Sequence, residues 1–386
     1  MFPRSLPSHY SLQKIDGRFG AADNARFWCM VAVVAVHCTP VFTSGDIENT
    51  EAVSIVSTFF KFATIGFFLI SGFLLEKQIQ GLGSLVILRK RMRKVFLPWL
   101  FWCGLLAATF TINDLLRHRT PFLPGVTVAS ALLAEVSKSI STTAFWFVPN
   151  ILFALGVLLL FRRYLRSLYF GSALFAANLF YVANIYGEWI TPNHPRALFA
   201  YIFPLWLGVY AAAHRNGFNR LLSRIPALTL AALTALSGVA SYGESRLLLH
   251  LHSADPLNTL RLSNQIFTVL VILCLCKFRG RIYPRFVDVP RHTFGIYLSH
   301  PLVASAVIGI IRRFLGLHVL SHVANRLALR IALWFVATFI IWTAGFLISR
   351  FIAARPSLCW LLGLTSAKSK TLRETTSADL LSLHPR

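Results

Sequence analysis

Charged side chains are scarce in this sequence: Asp, Glu, Lys and Arg make up 13% of its 386 residues, whereas hydrophobic residues make up 56%. Soluble globular proteins carry about 25% charged residues. Hydrophobic stretches of about 18–20 residues recur along the whole chain, as in proteins that cross a membrane several times. The composition therefore excludes an ordinary soluble protein and predicts one all-α polytopic membrane domain.

Acidic residues are the scarcest charged type, with 14 Asp and Glu against 38 Lys and Arg. The sequence has no His-Glu-x-x-His motif, no glutamate pair and no Ser/His/Asp order of a hydrolase triad. The six cysteines lie in or beside hydrophobic runs without a zinc-binding spacing, and a glycine-rich phosphate loop is missing. We therefore predict no bound metal or cofactor, and a catalytic site built from His, Lys or Arg, and Ser.

The first 24 residues are polar and lack the pattern of a signal peptide, so residues 1–24 are predicted to form a cytosolic leader. Residues 25–352 are predicted to form a ten-helix membrane domain, and residues 353–386 a polar, disordered cytosolic tail. The ten predicted membrane segments are 26–44, 53–75, 96–112, 144–161, 168–186, 197–213, 226–242, 262–276, 293–311 and 330–349.

Lys and Arg indicate the orientation of these segments. Most of the 38 basic residues fall in the leader, in the tail and in every second loop, which places these parts and both termini in the cytosol. The net charge of +24 is thus mostly a signal of topology. It predicts contact with membrane lipids and no nucleic-acid partner.

Arg26 and His37 stand eleven residues apart at the start of the first hydrophobic segment. On an α-helix this spacing places both side chains on one face, about 16 Å apart along the axis. Arg26 is then expected at the membrane surface and His37 near the middle of the membrane. A titratable side chain at that depth is costly, which favours a functional role. The alternative is that His37 forms only a hydrogen bond between helices.

Lys61 lies within the second segment, which a short loop joins to the first, so Lys61 and His37 are expected to approach each other. A cation beside His37 favours the neutral imidazole that a general base requires. The alternative is that the ammonium of Lys61 reaches the outer membrane surface along its aliphatic stem.

The densest basic stretch is Arg89-Lys90-Arg91-Met92-Arg93-Lys94, in the cytosolic loop between the second and third segments. Arg89, Arg91, Arg93 and Lys94 could bind a phosphate-bearing cytosolic ligand through charge-assisted hydrogen bonds. The alternative is that they only set the topology and contact anionic lipid head groups.

Three further residues are site candidates, each with an ordinary structural alternative. Ser71 precedes Gly72 near the inner end of the second segment, where small residues commonly mark close helix packing. His300 precedes Pro301, which can kink the ninth helix toward a cavity, or it is a buried hydrogen-bonding histidine. Trp146, at the outer end of the fourth segment, is also explained by an aromatic belt.

Taken together, these motifs resemble the acyltransferase-3 family of integral membrane proteins, which acylate extracytoplasmic carbohydrates. The similar motifs stand, in chain order, at residues 23–37, 61–72, 91–102, 145–147 and 297–300. Lys61 and Lys94 depart from the pattern, because the family more often has Arg at these positions. Lysine keeps the charge but loses the bidentate geometry of a guanidinium.

The resemblance implies a multi-pass enzyme of the bacterial inner membrane that uses acyl-CoA as cosubstrate, with acetyl or succinyl as the acyl group. The implied acceptor is a cell-envelope polysaccharide or a lipid-linked sugar, and polysaccharide-assembly proteins are the implied partners. His37 would be the general base or the acyl carrier, and Arg26 would belong to the catalytic site. Lys61 and the basic residues of 89–94 would bind the cosubstrate.

A transporter or a lipid-linked-sugar flippase is the alternative function, in which His37 and Lys61 form an intramembrane proton relay. Inverted sequence repeats, or paired helices broken by Gly or Pro, would support it, and the sequence shows neither. The sequence therefore favours the acyltransferase hypothesis.

Overall fold

A computed structural model of the chain describes residues 16–44, 47–48, 50–116, 127–278, 280–324 and 327–364. Most of these residues are helical, and one π-helical turn (Met92–Phe96) joins the fourth and fifth α-helices. The strands β1 (Thr43–Ser44) and β2 (Ile47–Glu48) pair antiparallel. The α-helices described are α1 (Asp16–His37), α2 (Thr50–Phe60), α3 (Phe62–Gly81), α4 (Ser84–Arg91), α5 (Leu97–Leu116), α6 (Val128–Thr142), α7 (Phe147–Leu160), α8 (Leu168–Gly187), α9 (Ile202–Ala213), α10 (Arg215–Arg224), α11 (Ala227–His250), α12 (Leu262–Lys277), α13 (Val289–Ala324) and α14 (Leu327–Ala353).

A helix occurs at each of the ten segments that the hydropathy pattern predicts. By length and composition, five helical stretches among the described residues can cross a membrane, and two sharply bent pairs, of 82° and 92°, raise the number to seven if each pair is one span. The five are Glu51–Gly81, Ser84–Asp114, Leu168–Gly187, Val289–Ile311 and Leu327–Ala353. The chain is thus a helical multi-pass membrane protein, while the count of ten and the cytosolic termini stay predictions.

Helix α1 ends earlier than the hydropathy pattern predicts: His37 is its last residue, whereas the predicted segment continues to residue 44. Pro40 explains this end, because it has no N–H to donate to the carbonyl of Val36 in a continued α-helix, and the chain goes on as a short 3₁₀ helix (Thr39–Phe42). Thr39 Oγ1 donates to the carbonyl of Val36 (2.8 Å), which satisfies one of the last helix carbonyls. His37 therefore lies at a helix end and not inside a helix.

The π-helical turn Met92–Phe96 lies where the basic stretch meets the hydrophobic helix α5. Pro98 accounts for the wider turn. It has no N–H to donate to the carbonyl of Lys94, and its ring would clash with that carbonyl in a regular α-helix. Turns of this kind occur frequently at functional sites.

The chain divides into two compact units. Unit 1 holds the chain up to Val33, Val53–Gln80 and Phe161–Pro290, and unit 2 holds Val34–Ala52, Gly81–Leu160 and the chain from Arg291. Of the predicted site residues, Arg26, Lys61 and Ser71 belong to unit 1. His37, Arg89, Arg91, Arg93, Lys94, Trp146 and His300 belong to unit 2.

In unit 1, helices α3 and α9 pack at van der Waals distance through two glycines. A Cβ added to Gly72 would overlap the carbonyl oxygen of Leu205, and a Cβ added to Gly208 would overlap the carbonyl oxygen of Leu69. Backbone atoms of a packed helix have little room to shift, so both positions require glycine. This contact supports the packing interpretation of the Ser71-Gly72 pair.

We expect Gly72→Ala to lower the midpoint of thermal unfolding by at least about 5 °C, because the added methyl group separates α3 from α9. Gly81→Ala is the matched control on the same helix, since nothing lies within 4 Å of a Cβ at Gly81. The measurement is thermal unfolding of the purified protein, followed by fluorescence. Equal midpoints for the two variants would contradict the contact.

The described part of the predicted tail is packed in unit 2. A 3₁₀ turn (Cys359–Leu362) is largely buried, and Trp102 Nε1 donates to the carbonyl of Leu361 (3.0 Å). Gly363 follows with a φ of 66°, and a Cβ there would overlap the carbonyl oxygen of Lys94. Residues 353–364 are therefore not a disordered tail, because their apolar side chains cover α5 and α14. Residues from 365 lie outside the described residues.

Candidate active site

Unit 2 brings together two of the predicted site residues, His37 and His300. The centre of the His37 ring, at the end of α1, lies 5.3 Å from the centre of the His300 ring on α13, with 48° between the ring planes. His37 is half-buried, and His300 is fully buried. Both residues stand out in the sequence, but nothing in the sequence pairs them, so the pair is a finding of the structure.

The structure indicates the tautomer of His300. Its Nδ1 lies 2.7 Å from the carbonyl oxygen of Tyr297, and since a carbonyl only accepts, Nδ1 carries the proton. Nε2 of the neutral ring then presents a lone pair, and it has no hydrogen-bond partner among the described residues. An unpaired polar atom at full burial costs about 1–3 kcal/mol of folding free energy, so packing alone does not account for the unpaired Nε2 of His300.

Tyr297 links the histidine pair to the turn that contains Trp146. Its hydroxyl donates to the carbonyl of Ala144 (2.7 Å), and its ring centre lies 5.9 Å from that of His300. Trp99 Nε1 donates to the carbonyl of Phe145 (2.9 Å) in the same turn. Two long-range hydrogen bonds therefore fix the 3₁₀ turn Ala144–Trp146 beside α13.

Trp146 is buried inside unit 2, with 8% of its surface exposed. Residues of an aromatic belt face the lipid head groups, so the belt interpretation of Trp146 is wrong. It lies in the 3₁₀ turn whose Ala144 carbonyl accepts a hydrogen bond from Tyr297. Its role in the site itself stays a prediction.

The backbone before His37 is fixed by Trp334 of α14. The indole Nε1 donates to the carbonyl of Ala35 (2.7 Å), and the Trp334 side chain is 1% exposed. This bond satisfies a carbonyl in the last turn of α1 and immobilises that turn. The position of the His37 ring is therefore set by two neighbouring helices, α13 and α14.

The basic stretch is exposed in unit 2. Arg89, Lys90, Arg93 and Lys94 are exposed and Arg91 is half-buried. In the described part of the chain, the two ion pairs found involve other residues, so no carboxylate there pairs with Arg89, Arg93 or Lys94 within 4.0 Å. The stretch is therefore an open basic surface, and the π-helical turn begins within it, at Met92.

The predicted site residues of unit 1 have other partners. Arg26 pairs with Asp23 (3.9 Å); burial raises the pKa of the Asp23 carboxyl, and the nearby guanidinium opposes that rise. Lys61 lies at the break between α2 and α3, and its Nζ donates to the carbonyl of Leu257. Ser71 is half-buried beside the Gly72 contact. The predicted approach of Lys61 to His37 stays a prediction.

Two residues that fix the site, Tyr297 and Trp334, were not predicted from the sequence to have a role there. Tyr297 appears only as part of a motif, although a tyrosine one helical turn before a histidine on an apolar helix is a signal for a buried polar contact. Trp334 carries no local signal, because its partner, the carbonyl of Ala35, is a backbone atom on a distant helix.

The sequence pattern of a protein family described as an acyltransferase domain matches residues 19–354 of the chain. No curated protein and no solved structure matches it.

Proposed function

Because the chain belongs to the acyltransferase-3 family, we propose that it is a membrane-embedded O-acyltransferase that moves an acyl group from acyl-CoA to a carbohydrate hydroxyl. The acyl group is acetyl or succinyl, and the acceptor is a polysaccharide or lipid-linked sugar of the cell envelope, at the bacterial inner membrane. Polysaccharide-assembly proteins are the proposed partners. The observation that carries the proposal is the pair of His37 with His300, whose buried Nε2 is unpaired.

His37 is the proposed general base. A ring nitrogen takes the proton of the acceptor hydroxyl while the hydroxyl oxygen attacks the thioester carbonyl. The C–O bond of the ester forms, the C–S bond breaks, and the proton passes from the imidazolium to the departing thiolate, which leaves as free CoA. His300 is a positioning residue: its Nε2 accepts a hydrogen bond from the protonated His37 ring and holds that ring toward the substrate.

A covalent route uses the same residues. Here a His37 nitrogen attacks the thioester carbonyl, and the thiolate leaves with the ring proton. The acceptor hydroxyl oxygen then attacks the acyl-imidazole, the C–N bond breaks, and the hydroxyl proton returns to the ring. Only this route leaves an acyl-protein when acyl-CoA is supplied without an acceptor. Intact-protein mass spectrometry after rapid mixing separates the two routes.

The test of the proposed function is the release of free CoA by purified protein. Acetyl-CoA and succinyl-CoA are offered in turn, with and without a crude extract of envelope glycans. We expect the extract to increase CoA release, because it supplies the acceptor. If folded protein neither binds nor consumes any acyl-CoA offered, the proposal fails.

The open basic surface is proposed to bind the phosphates of acyl-CoA, with Arg26 and Lys61 orienting the donor. We expect the double variant with Arg93→Gln and Lys94→Gln to raise the KM for acyl-CoA about tenfold or more, because the loss of even one charge-assisted hydrogen bond costs about 1.5–3 kcal/mol. The KM for the glycan should not change. Initial rates of CoA release at varied acyl-CoA concentration measure this effect.

The control for the loss of charge alone is the double variant with Arg220→Gln and Arg224→Gln. It removes two exposed cations on the same predicted side of the membrane. This control should leave the KM for acyl-CoA within about twofold, since neither arginine belongs to the proposed phosphate site. An equal rise of KM in both double variants would show a general effect of net charge and no phosphate site.

A further inference from the structure

Unit 1 contains a partly open cavity of about 1080 Å³. Residues from α1, α3, α9, α10 and α12 line the cavity, and all of them belong to unit 1. Binding sites for small molecules commonly measure about 300–1,000 Å³, so this cavity has room for a large ligand or a long chain. None of the predicted site residues lines it.

The body of the cavity is apolar. Its walls include Phe73 of α3, Ala211 of α9 and Ile272 of α12. Along α12 the lining runs from Val269 to Lys277, which corresponds to about 12 Å of helix. The hydrocarbon of one bilayer leaflet is about 15 Å deep, so the cavity is similar in length to an acyl chain within a single leaflet.

The polar side chains of the lining are gathered around α10. Lys277 ends α12, and its Nζ donates to the carbonyls of Leu222 (2.9 Å) and Ile225 at the end of α10. The other polar lining residues lie on α10 or directly before it, and they are His214, Arg215, Asn219 and Ser223. The cavity therefore has an apolar body and a polar end, and the polar end lies on the predicted cytosolic side.

The charge at the polar end is positive. Arg215 is half-buried, and its guanidinium carbon lies 5.2 Å from the centre of the Phe73 ring, a cation–π contact that holds the side chain at the cavity. None of the lining residues is acidic, and the two ion pairs found in the described chain involve other residues. Lys277 adds a second cation. The polar end therefore favours an anionic group.

We propose that this cavity binds an anionic phospholipid, with an acyl chain along the apolar walls and the phosphate at Arg215. A guanidinium forms bidentate, charge-assisted hydrogen bonds with a phosphate, and burial of the chain against the walls is favourable. A free phosphate would not use the apolar body, and an uncharged chain would not use Arg215. The site concerns lipid recognition and is independent of the reaction proposed above.

The first experiment measures lipid retention by native mass spectrometry of the full chain, purified in detergent and depleted of lipid. Phosphatidylglycerol and phosphatidylcholine with identical acyl chains are added in turn, and glycerol 3-phosphate is the head group without a chain. We expect one tightly bound phosphatidylglycerol, about tenfold weaker binding of phosphatidylcholine, and no competition from glycerol 3-phosphate. Equal retention of the two lipids would overturn the proposal, because it would indicate unspecific contact with the protein surface.

Arg215→Gln tests the phosphate contact, and Arg220→Gln is its matched control. Both arginines lie on α10, but Arg220 is exposed and does not line the cavity. Arg215→Gln should weaken phosphatidylglycerol binding about tenfold and leave phosphatidylcholine binding unchanged, because it removes a charge-assisted hydrogen bond. Arg220→Gln should change neither. Equal effects of the two variants would show a general effect of net charge and no phosphate site.

Ala211→Phe tests the apolar body by filling it, and Ala213→Phe is its matched control. Both alanines are half-buried on α9, but Ala213 does not line the cavity. Ala211→Phe should abolish the tightly bound lipid, whereas Ala213→Phe should retain it. Phosphatidylglycerol should also raise the midpoint of thermal unfolding of the wild type by a few degrees, since a ligand stabilises the state that it binds. That rise should be absent in Ala211→Phe.

A competition experiment distinguishes the lipid from the proposed cosubstrate. Acetyl-CoA is added to the complex of the protein with phosphatidylglycerol, and the bound lipid is counted by native mass spectrometry. We expect the lipid to remain bound at acetyl-CoA concentrations that saturate CoA release. Displacement of the lipid by acetyl-CoA, with loss of acetyl-CoA binding in Ala211→Phe, would assign the cavity to the cosubstrate and overturn the proposal.

Discussion

Replacing His37 by alanine is expected to lower the rate of CoA release by about 10²–10⁴-fold, the range over which a positioned acid–base group contributes. The loss should appear in kcat, while the KM for acyl-CoA stays close to that of the wild type. The ring is held by the His300 contact and by the Trp334 bond to the carbonyl of Ala35. Because His37 is half-buried at a helix end, its loss should not unfold the protein.

His250→Ala is the matched control for this variant, since His250 is also the last residue of its helix and is exposed. It should retain wild-type activity. Residual activity of His37→Ala above about a tenth of wild type would remove His37 from the chemistry. Acyl-protein in the wild type without acceptor, absent from His37→Ala, would establish the covalent route.

Replacing His300 by asparagine is expected to lower kcat about 10²-fold, with an unchanged KM for acyl-CoA. The asparagine amide can still donate to the carbonyl of Tyr297, as Nδ1 does, but it has no atom at the position of Nε2. His300→Gln places a polar atom nearer to the Nε2 position and should restore part of the rate. This order of activities, wild type above Gln above Asn, distinguishes a positioning role from a structural one.

His292→Asn controls for the loss of a buried histidine from the same helix. The His292 side chain is 7% exposed and its ring packs against that of Phe346 (5.1 Å between ring centres). Any loss of activity in His292→Asn should be no larger than the decrease in the amount of folded protein. If His300→Asn and His292→Asn lower kcat equally at equal stability, the free Nε2 has no special role.

Much of the fold could be predicted from the sequence, because hydrophobic length is a strong constraint on membrane helices. Each predicted segment contains a helix. The end of α1 was missed because its hydrophobic character continues past Pro40, whereas backbone geometry ends the helix at His37. Hydropathy measures the side chains, and helix ends depend on the backbone as well.

The site could be predicted only in part. His37 and His300 are each unusual in an apolar segment, so residue type alone selects them. Their contact depends on how α1, α13 and α14 pack in unit 2, and the distances between these helices cannot be derived from a single sequence.

The end of α1 at His37 has a further electrostatic consequence. The peptide dipoles of a helix add to a partial negative charge at its C-terminus, equivalent to about half an elementary charge. An imidazolium formed on His37 during catalysis would lie at that end, where a cation is stabilised by about 0.3–2 kcal/mol. Pro40, by stopping the helix there, thus gives the proposed base a backbone field that favours its charged form at the moment the hydroxyl loses its proton.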